Sequence, residues 1–458
     1  MHFEISERKI LLLSFDAVFI LSALYLLSLI FNYHYFDFDV HSSLSILLLL
    51  SYLYVFGVIF EIYNLQVASN HLQILQNVVF TATATVLAYL FTPVLSPVLP
   101  KQRLIILIFY FTILITLLAW RLFYCYFLAS HRFSQNVVLI CDQKEVEELV
   151  LGLENVDPHY KIIGFVNSDS IADENLDVHY VKEIKKDNLQ YFVSTNNVSE
   201  IIIASQKTDG ITPDLYQQLL HLLESGNIIR EYTQVYESKT QRIPVHYIER
   251  DFYRFFPFSR SNNNKLYLFF TRLIEIIFSI LGLLISLAFA PIIFLCNIFA
   301  NKGSLFYTQE RVGKNGVVFE IYKFRTMTEN SESNGAVFAV HNDKRITPFG
   351  KFMRKTRIDE LPQFINVLKG DMGVIGPRPE RPFFVEEIAA VMPFYETRHV
   401  IKPGLTGWAQ VNYSYGESID ESLIKLQYDL YYIKHRSVFL DLSITFKTIT
   451  TVLFYRGQ

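Results

Sequence analysis

Hydrophobic positions in this chain fall into three regimes. Up to about residue 130 they form long runs, over residues 10–31, 43–61, 74–96 and 102–128. Each is about long enough to cross ~30 Å of hydrocarbon, so the pattern predicts a four-helix transmembrane region over 1–131. Four buried helices of a large soluble protein are the alternative, and the run lengths weigh against it. From 134 to about 248, short apolar runs alternate with amphipathic stretches. Residues 137–140, 162–166 and 201–204 read as buried parallel strands, and 144–153 and 213–225 as helices, a doubly wound, Rossmann-like α/β domain over 132–248. A linker over 249–265 mixes aromatic, basic and polar residues, as a membrane interface does. A fifth apolar run then opens a third region, 266–458, of mixed α/β character.

Charge orients these segments. Arg8 and Lys9 precede the first run, and the first loop carries Asp37 and Asp39 without Lys or Arg, which favours a cytoplasmic N-terminus. Lys101 and Arg103 run against that assignment. Four crossings return the chain to the cytoplasm. The fifth run, Leu273–Ala300, contains Pro291, has Glu275 near its start and follows Arg272. A spanning helix there would carry the last region to the opposite side from the α/β domain. The expectation is a re-entrant helix over 266–300, broken at Pro291 and entering and leaving from the cytoplasmic face. Further on, 383–392 reads as a helix lying on the membrane, and 442–455 as interfacial or packed.

Composition agrees with a membrane protein: 51% of the 458 residues are hydrophobic, and mean hydropathy is +0.26. No cleavable signal peptide is evident, because the first apolar run is long and lacks a small-residue cleavage site. The net charge of −3 points to no partner, and no nucleic acid is implied. Cys125, Cys141 and Cys296 lie far apart in apolar runs and read as buried thiols. The turn after the first predicted strand, Cys141-Asp142-Gln143-Lys144, has no glycine. Its backbone therefore cannot approach a pyrophosphate closely, and no cofactor is assigned to that domain.

Candidate chemistry concentrates in residues 301–378, with 13 Lys/Arg against 8 Asp/Glu. Its centre is Arg357-Ile358-Asp359-Glu360-Leu361-Pro362-Gln363. The pattern predicts a helix with Asp359 as N-cap, Pro362 in the first turn, Leu361, Phe364, Ile365 and Leu368 as its buried face, and Gly370 as its stop. Gln309–Gly316 and Phe319–Met327 read as a turn-linked strand pair whose Lys323 and Arg325 share one face. Arg354 precedes the carboxylates, Gly376-Pro377-Arg378-Pro379 is a rigid turn fixing an arginine, and Arg398 leads into a loop with Gly404 and Gly407, where backbone could approach a ligand. Ordinary helix capping is the plain reading of Asp359-Glu360. Arginine forks gathered around two carboxylates point instead to phosphate chemistry.

Together these residues resemble the bacterial sugar transferases, polyprenyl-phosphate hexose-1-phosphate transferases of the long form. The motifs are Gln309-x-Arg311-x-Gly313, Lys323-Phe324-Arg325-Thr326-Met327, Asp359-Glu360-Leu361-Pro362-Gln363 with Asn366–Met372, Gly376-Pro377-Arg378-Pro379 and Pro403–Gly407, with Asp429, Tyr432 and Asp441 downstream. The resemblance implies a catalytic domain on a re-entrant helix, a UDP-sugar donor (glucose by default), an undecaprenyl-phosphate acceptor and Mg²⁺. It implies Asp359 as nucleophile and Glu360 as its partner at the metal, with Arg378, Arg354, Lys323, Arg325, Arg311 and Arg398 as candidate phosphate contacts. Exopolysaccharide, capsule or O-antigen initiation at the cytoplasmic face of the bacterial inner membrane follows from it, and a homodimer is compatible with it. Ala290-Pro291 and Glu275 depart from the family's usual Ser-Pro and Arg-x-x-Asp patterns. Direct transfer without a covalent intermediate is the rival mechanism, and a non-catalytic membrane scaffold the rival function.

Overall fold

The computed structural model describes residues 7–31, 43–63, 71–92, 95–97, 99–100, 102–128, 135–154, 160–168, 181–204, 211–245, 262, 264–300, 303–328, 345–413 and 419–453. The topology charges Asp37, Asp39 and Lys101 and most of the 249–265 linker lie outside these. Two compact units divide the chain, Met1–Val235 and Tyr236–Gln458.

In the first unit the apolar runs become α1 (Glu7–Phe31), α2 (Ser43–Ile59), α3 (His71–Leu90) and α4 (Arg103–Phe123). Of these, α1, α3 and α4 are long and apolar enough to cross a membrane, while α2 has 17 residues, about 26 Å at 1.5 Å per residue. The run predicted to reach residue 96 ends at Leu90 because Pro93 pushes the preceding residues out of helical geometry. Leucine, isoleucine and valine side chains of all four helices share one core with Tyr89 and Phe109. One charge pair is buried inside this apolar set. Arg121 of α4 donates to Asp16 of α1, and also to the Ile62 carbonyl at 2.9 Å. Both charged residues are buried, beside Tyr63 and Trp120. The apolar runs concealed this pair from the sequence reading.

Next come β1 (Gln135–Cys141), α5 (Val146–Glu154), β2 (Tyr160–Asn167), β3 (Lys182–Glu183), α6 (Leu189–Thr195), β4 (Val198–Ile203), α7 (Pro213–Glu224) and β5 (Ile228–Glu231). They form a parallel sheet of order β3-β2-β1-β4-β5. Val137–Ile140 are fully buried, as expected for a central parallel strand. Just past the glycine-free end of β1, Asp142 accepts from the hydroxyl of Ser168, the residue that follows β2. α8 (Tyr232–Thr240) carries the chain into the second unit.

There Ile243 and Val245 enter a core with Trp408, Leu426, Tyr432 and Ile444. Residues 236–245, which the hydrophobic pattern groups with the α/β domain, thus pack in the C-terminal unit. α9 (Lys265–Ala300) is one helix of 36 residues with Pro291 inside it. This corrects the expected break at Pro291. A proline deletes one bond of the ladder, and the bonds on either side continue the helix when packing holds both halves. The buried residues Glu275, Ser279, Gly282, Ser286, Ile293 and Asn297 keep helical phase across the proline. This stripe of small and polar side chains faces the rest of the unit, while Leu273, Ile277, Leu284, Leu287, Phe294 and Phe299 are exposed. Gly282 is required for the approach, since a Cβ there would lie 2.3 Å from the Phe364 ring.

After α9 come the antiparallel strands β6 (Phe306–Val312) and β7 (Val318–Phe324), the strand pair read from the sequence. α10 (Pro348–Thr356), α11 (Phe364–Lys369), β8 (Gly373–Ile375), α12 (Pro382–Val391), β9 (Gly404–Thr406), α13 (Trp408–Asn412), α14 (Ile419–His435) and α15 (Val438–Leu453) complete the unit. Ile388 of α12 and Ile444 of α15 are core residues, whereas Phe383 and Phe439 are exposed, so both helices are amphipathic.

The Asp16–Arg121 pair yields a stability prediction. Arg121→Met strands a buried carboxylate and is expected to destabilise the protein by about 3–5 kcal/mol, whereas Asp16→Leu/Arg121→Met recovers most of the loss. Denaturation in detergent micelles reads both. A single variant as stable as the parent would show that the pair does not hold α1 to α4.

Candidate active site

Thr347 caps α10 by accepting from the Gly350 amide at 2.9 Å, and the helix ends at Arg357 in left-handed geometry (φ 57°, ψ 15°). The chain then turns through a 3-10 helix, Ile358–Gln363, before α11 begins at Phe364 and stops at left-handed Gly370. Gly370 is the stop the pattern predicts, but Asp359 is not an N-cap. Pro362 has no N–H for the Ile358 or the Asp359 carbonyl, and it lies inside the 3-10 segment, not in the first turn of α11. Asp359 and Glu360 therefore project from a short, tight turn. The buried positions are Gln363, Asn366 and Val367, while Leu368 is exposed. The predicted stripe is turned in part to neighbouring helices: Phe364 lies on Gly282, and Leu361 packs with Ile293 and Met353.

Asn366 joins this segment to the sheet. Its amide donates to the Glu320 carbonyl at 2.6 Å, and its side-chain oxygen accepts from the Tyr322 amide at 3.1 Å. The side chain thus occupies an edge of β7 as another strand would, and brings Lys323 to the carboxylates. Glu360 Oε1 receives Lys323 Nζ at 3.4 Å, Arg357 Nη1 at 3.5 Å and Arg378 Nη2 at 3.5 Å. Asp359 is 6% exposed, and its Oδ1 is buried without a hydrogen-bond partner.

Arg378 rides on two interlocked loops. β8 pairs with β9, Gly376 donates to the Thr406 carbonyl at 2.9 Å, and Gly404 to the Pro377 carbonyl at 2.9 Å. A Cβ at Gly404 would lie 2.1 Å from the Gly376 nitrogen, and one at Gly407 2.2 Å from the Gly376 oxygen. These glycines serve loop-on-loop contact, not the approach to a ligand expected of them. Two further predicted arginines brace the turn from behind. Arg398 donates to the Arg378 carbonyl at 3.0 Å and pairs with Asp429 at 2.7 Å. Arg311 donates to the Pro379 carbonyl at 3.0 Å and to Gln309 Oε1 at 2.7 Å. Arg354 donates to Thr326 Oγ1 at 3.0 Å, and its charge acts on Asp359. Arg325 lies one residue past β7 and donates to the Ser304 carbonyl at 2.9 Å. The structure therefore gathers Asp359, Glu360, Lys323, Arg354 and Arg378, backs Arg378 with Arg311 and Arg398, and bonds Arg325 to Ser304. Sequence reasoning left out Arg357 and the role of Asn366. Adjacency to the carboxylates was the available signal for Arg357.

Electrostatics separate the two acids. Burial raises the Asp359 carboxyl, and the neighbouring Glu360 charge adds to it against Lys323, Arg354 and Arg357. Burial also opposes ionisation of Glu360, but Lys323, Arg378 and Arg357 outweigh it and hold that carboxyl well below its usual range. Burial pulls Lys323 down to about 8 despite Glu360. Among the described residues, no three His, Cys, Asp or Glu gather as a metal site. A divalent cation would have only Asp359 and Glu360 from the protein, which suits Mg²⁺ bound by one or two carboxylates plus substrate phosphates. The unpartnered Asp359 Oδ1 would be available to such a cation.

Comparison with known proteins matches residues 266–455 to the bacterial sugar transferase family model. An Aeromonas hydrophila UDP-N-acetylgalactosamine-undecaprenyl-phosphate N-acetylgalactosaminephosphotransferase is 53% identical over 153 residues, 33% of this chain and 36% of that protein. A Klebsiella pneumoniae UDP-glucose:undecaprenyl-phosphate glucose-1-phosphate transferase is 38% identical over 195 residues, 42% of each chain. A Bacillus subtilis (strain 168) protein named as a putative undecaprenyl-phosphate N-acetylgalactosaminyl 1-phosphate transferase is 45% identical over 141 residues, 31% of this chain and 79% of that protein. The match thus spans less than half the length of the first two relatives and most of the third.

The strained charge of Asp359 makes a testable statement. An acid raised in the fold contributes stability below its ordinary value of 3.8 that is lost as pH rises through the raised value. Asp359→Asn removes that loss, and is expected to melt higher than the parent at pH 7 by about 1 kcal/mol. The gap should close as pH falls toward 4. A thermal melting series against pH measures it, and a variant melting below the parent at pH 7 would refute the account.

Proposed function

The chain belongs to the bacterial sugar transferase family, and from that premise we propose that it transfers a sugar-1-phosphate from a UDP-sugar to undecaprenyl phosphate, releasing UMP. The observation that carries this reading is the buried Asp359 beside a Glu360 oxygen shared by Lys323, Arg357 and Arg378. A carboxylate stripped of water and hydrogen bonds is a strong nucleophile, and a fixed cation array suits charge building on phosphoryl oxygens. In the proposed reaction Asp359 attacks the sugar-linked phosphorus, and the bond to the UMP oxygen breaks with its electron pair leaving on UMP. An oxygen of the lipid phosphate then attacks the aspartyl phosphosugar, and the Asp359 carboxylate leaves restored. Arg378 and Lys323 hold the phosphoryl oxygens, Arg354 lies beside the nucleophile, and Arg311 and Arg398 keep the Arg378 turn in place. Mg²⁺, held by Glu360 and Asp359, would supply further charge neutralisation at the diphosphate.

The docked face of α9 supports a helix that stays with its own unit and does not stand upright across the bilayer. Buried residues from Glu275 to Asn297 lie against one unit on both sides of Pro291, whereas an upright span leaves its far half in lipid. This reading puts the reaction at the cytoplasmic face of the inner membrane, where an exopolysaccharide, capsule or O-antigen unit would begin. The relatives named for N-acetylgalactosamine are 53% and 45% identical, against 37–41% for those named for glucose. That makes UDP-N-acetylgalactosamine the first donor to test, ahead of UDP-glucose.

UMP release from a panel of UDP-sugars with undecaprenyl phosphate tests the reading. Release is expected with one donor in the parent and lost in Asp359→Asn, with a phosphosugar trapped on the parent when lipid is withheld. No release with any donor would overturn the function, and turnover retained by Asp359→Asn would overturn the nucleophile. Lys323 adds a pH signature. It is protonated below about 8 and neutral above, so kcat/KM for the UDP-sugar should fall as pH rises through that value. Lys323→Arg should carry the falling limb to higher pH. An unmoved limb would exclude Lys323 as its source.

A further inference from the structure

Glu380 stands two residues past Arg378, at the end of the turn that carries it. Its backbone is fixed by the end of β6, where the Val312 amide donates to the Glu380 carbonyl at 2.9 Å. The residue before Val312 takes its side chain: Arg311 Nη1 lies 3.5 Å from Glu380 Oε2. That same Nη1 donates to the Pro379 carbonyl at 3.0 Å, and Nη2 to Gln309 Oε1 at 2.7 Å. Of these three acceptors only Glu380 carries a charge. Two consecutive residues of one strand therefore grip the end of the turn, one by main chain and one by side chain.

Charge matters here because cations crowd the turn. Burial lowers Arg311, Arg378 and Arg381 push it the same way, and Glu380 is the foremost charge opposing them. Burial likewise lowers Lys425 of α14, and Glu380 is again the first charge to oppose it. Against burial, the Arg378 guanidinium is favoured first by Glu360 and next by Glu380. The Arg378 side chain is 39% exposed, so its direction is set chiefly by the turn beneath it. An acid that faced a diphosphate directly would repel it, whereas one paired to Arg311 serves the site at one remove.

We infer that Glu380 is a positioning residue: with Arg311 it fixes the turn from which Arg378 reaches the donor's phosphoryl oxygens, without itself touching substrate. The inference rests on the proposed function and adds to that site an acid that acts through Arg378.

The test is steady-state UMP release by the full-length protein, varying each substrate while the other is saturating, beside a thermal melt. Glu380→Gln keeps the shape and removes the charge. It should raise KM for the UDP-sugar by about tenfold, with kcat, KM for the lipid phosphate and melting temperature much less affected. Glu380→Asp, which restores the charge, should recover part of the loss. Unchanged KM for the UDP-sugar in Glu380→Gln would overturn the inference. A Glu380→Gln protein that does not fold, or whose kcat falls with its melting temperature at constant KM, would make Glu380 a structural residue and overturn it too. Each of these results leaves the proposed function intact. A parent that releases no UMP with any donor overturns the function and this inference with it.

Discussion

The sharing of one Glu360 oxygen among Lys323, Arg357 and Arg378 is the constraint around which the C-terminal unit is built. Two adjacent carboxylates removed from water cannot both stay ionised unless cations face them from fixed positions. Each cation comes from a separate element and needs its own support. β7 presents Lys323 because Asn366 occupies its edge. The Gly376–Pro379 turn presents Arg378 because Arg398 and Arg311 take the carbonyls of Arg378 and Pro379. The left-handed joint after α10 presents Arg357.

The apolar helix α9 is tied to the same arrangement. Arg272 donates to the carbonyls of Val367 and Leu368, each at 2.7 Å, at the C-terminus of α11, where a cation opposes the helix dipole. Glu275 pairs with Arg272 at 3.2 Å and lies against Gly373. At the start of the helix the Tyr267 hydroxyl donates to Asp441, which also accepts from Tyr432 at 2.7 Å. The apolar helix and the carboxylate-bearing segment are therefore bolted together. The depth of one in a bilayer would set the height of the other, as the proposed reaction between a nucleotide sugar and a lipid phosphate requires.

Much of this was legible in the sequence. Apolar run length marked the membrane helices, alternating runs marked the parallel sheet, and motif spacing picked out Asp359, Glu360, Lys323 and Arg378. The errors have physical causes. Pro291 reads as a break because propensity describes an isolated helix, while here both halves are held by packing. Pro362 reads as a first-turn proline, yet it lies inside a 3-10 segment that precedes α11, and Asp359 is not the cap. Gly404 and Gly407 read as openings for a ligand because sequence does not say which backbone fills the space. Asp16 and Arg121 stayed hidden because one charge in a long apolar run hardly alters its hydropathy. Ile243 and Val245 pack in the C-terminal core, a partnership that continuity in sequence does not show.

Local charge also failed to sort the arginines, and geometry does so on one criterion. Arg398 is buried, Arg311 is part-buried, and both make bonds of 2.7–3.0 Å to backbone carbonyls and to Asp429 or Gln309. A guanidinium so placed gains nothing by turning to a ligand, and moving it would strand Asp429 in the interior. Arg357 and Arg378 are the reverse: part exposed, and 3.5 Å from an oxygen they share. Contacts of this kind hold both cations beside the Glu360 oxygen from fixed positions. That is the condition for stabilising charge that develops later, because the field is set before the reaction and costs no reorganisation when phosphoryl charge appears.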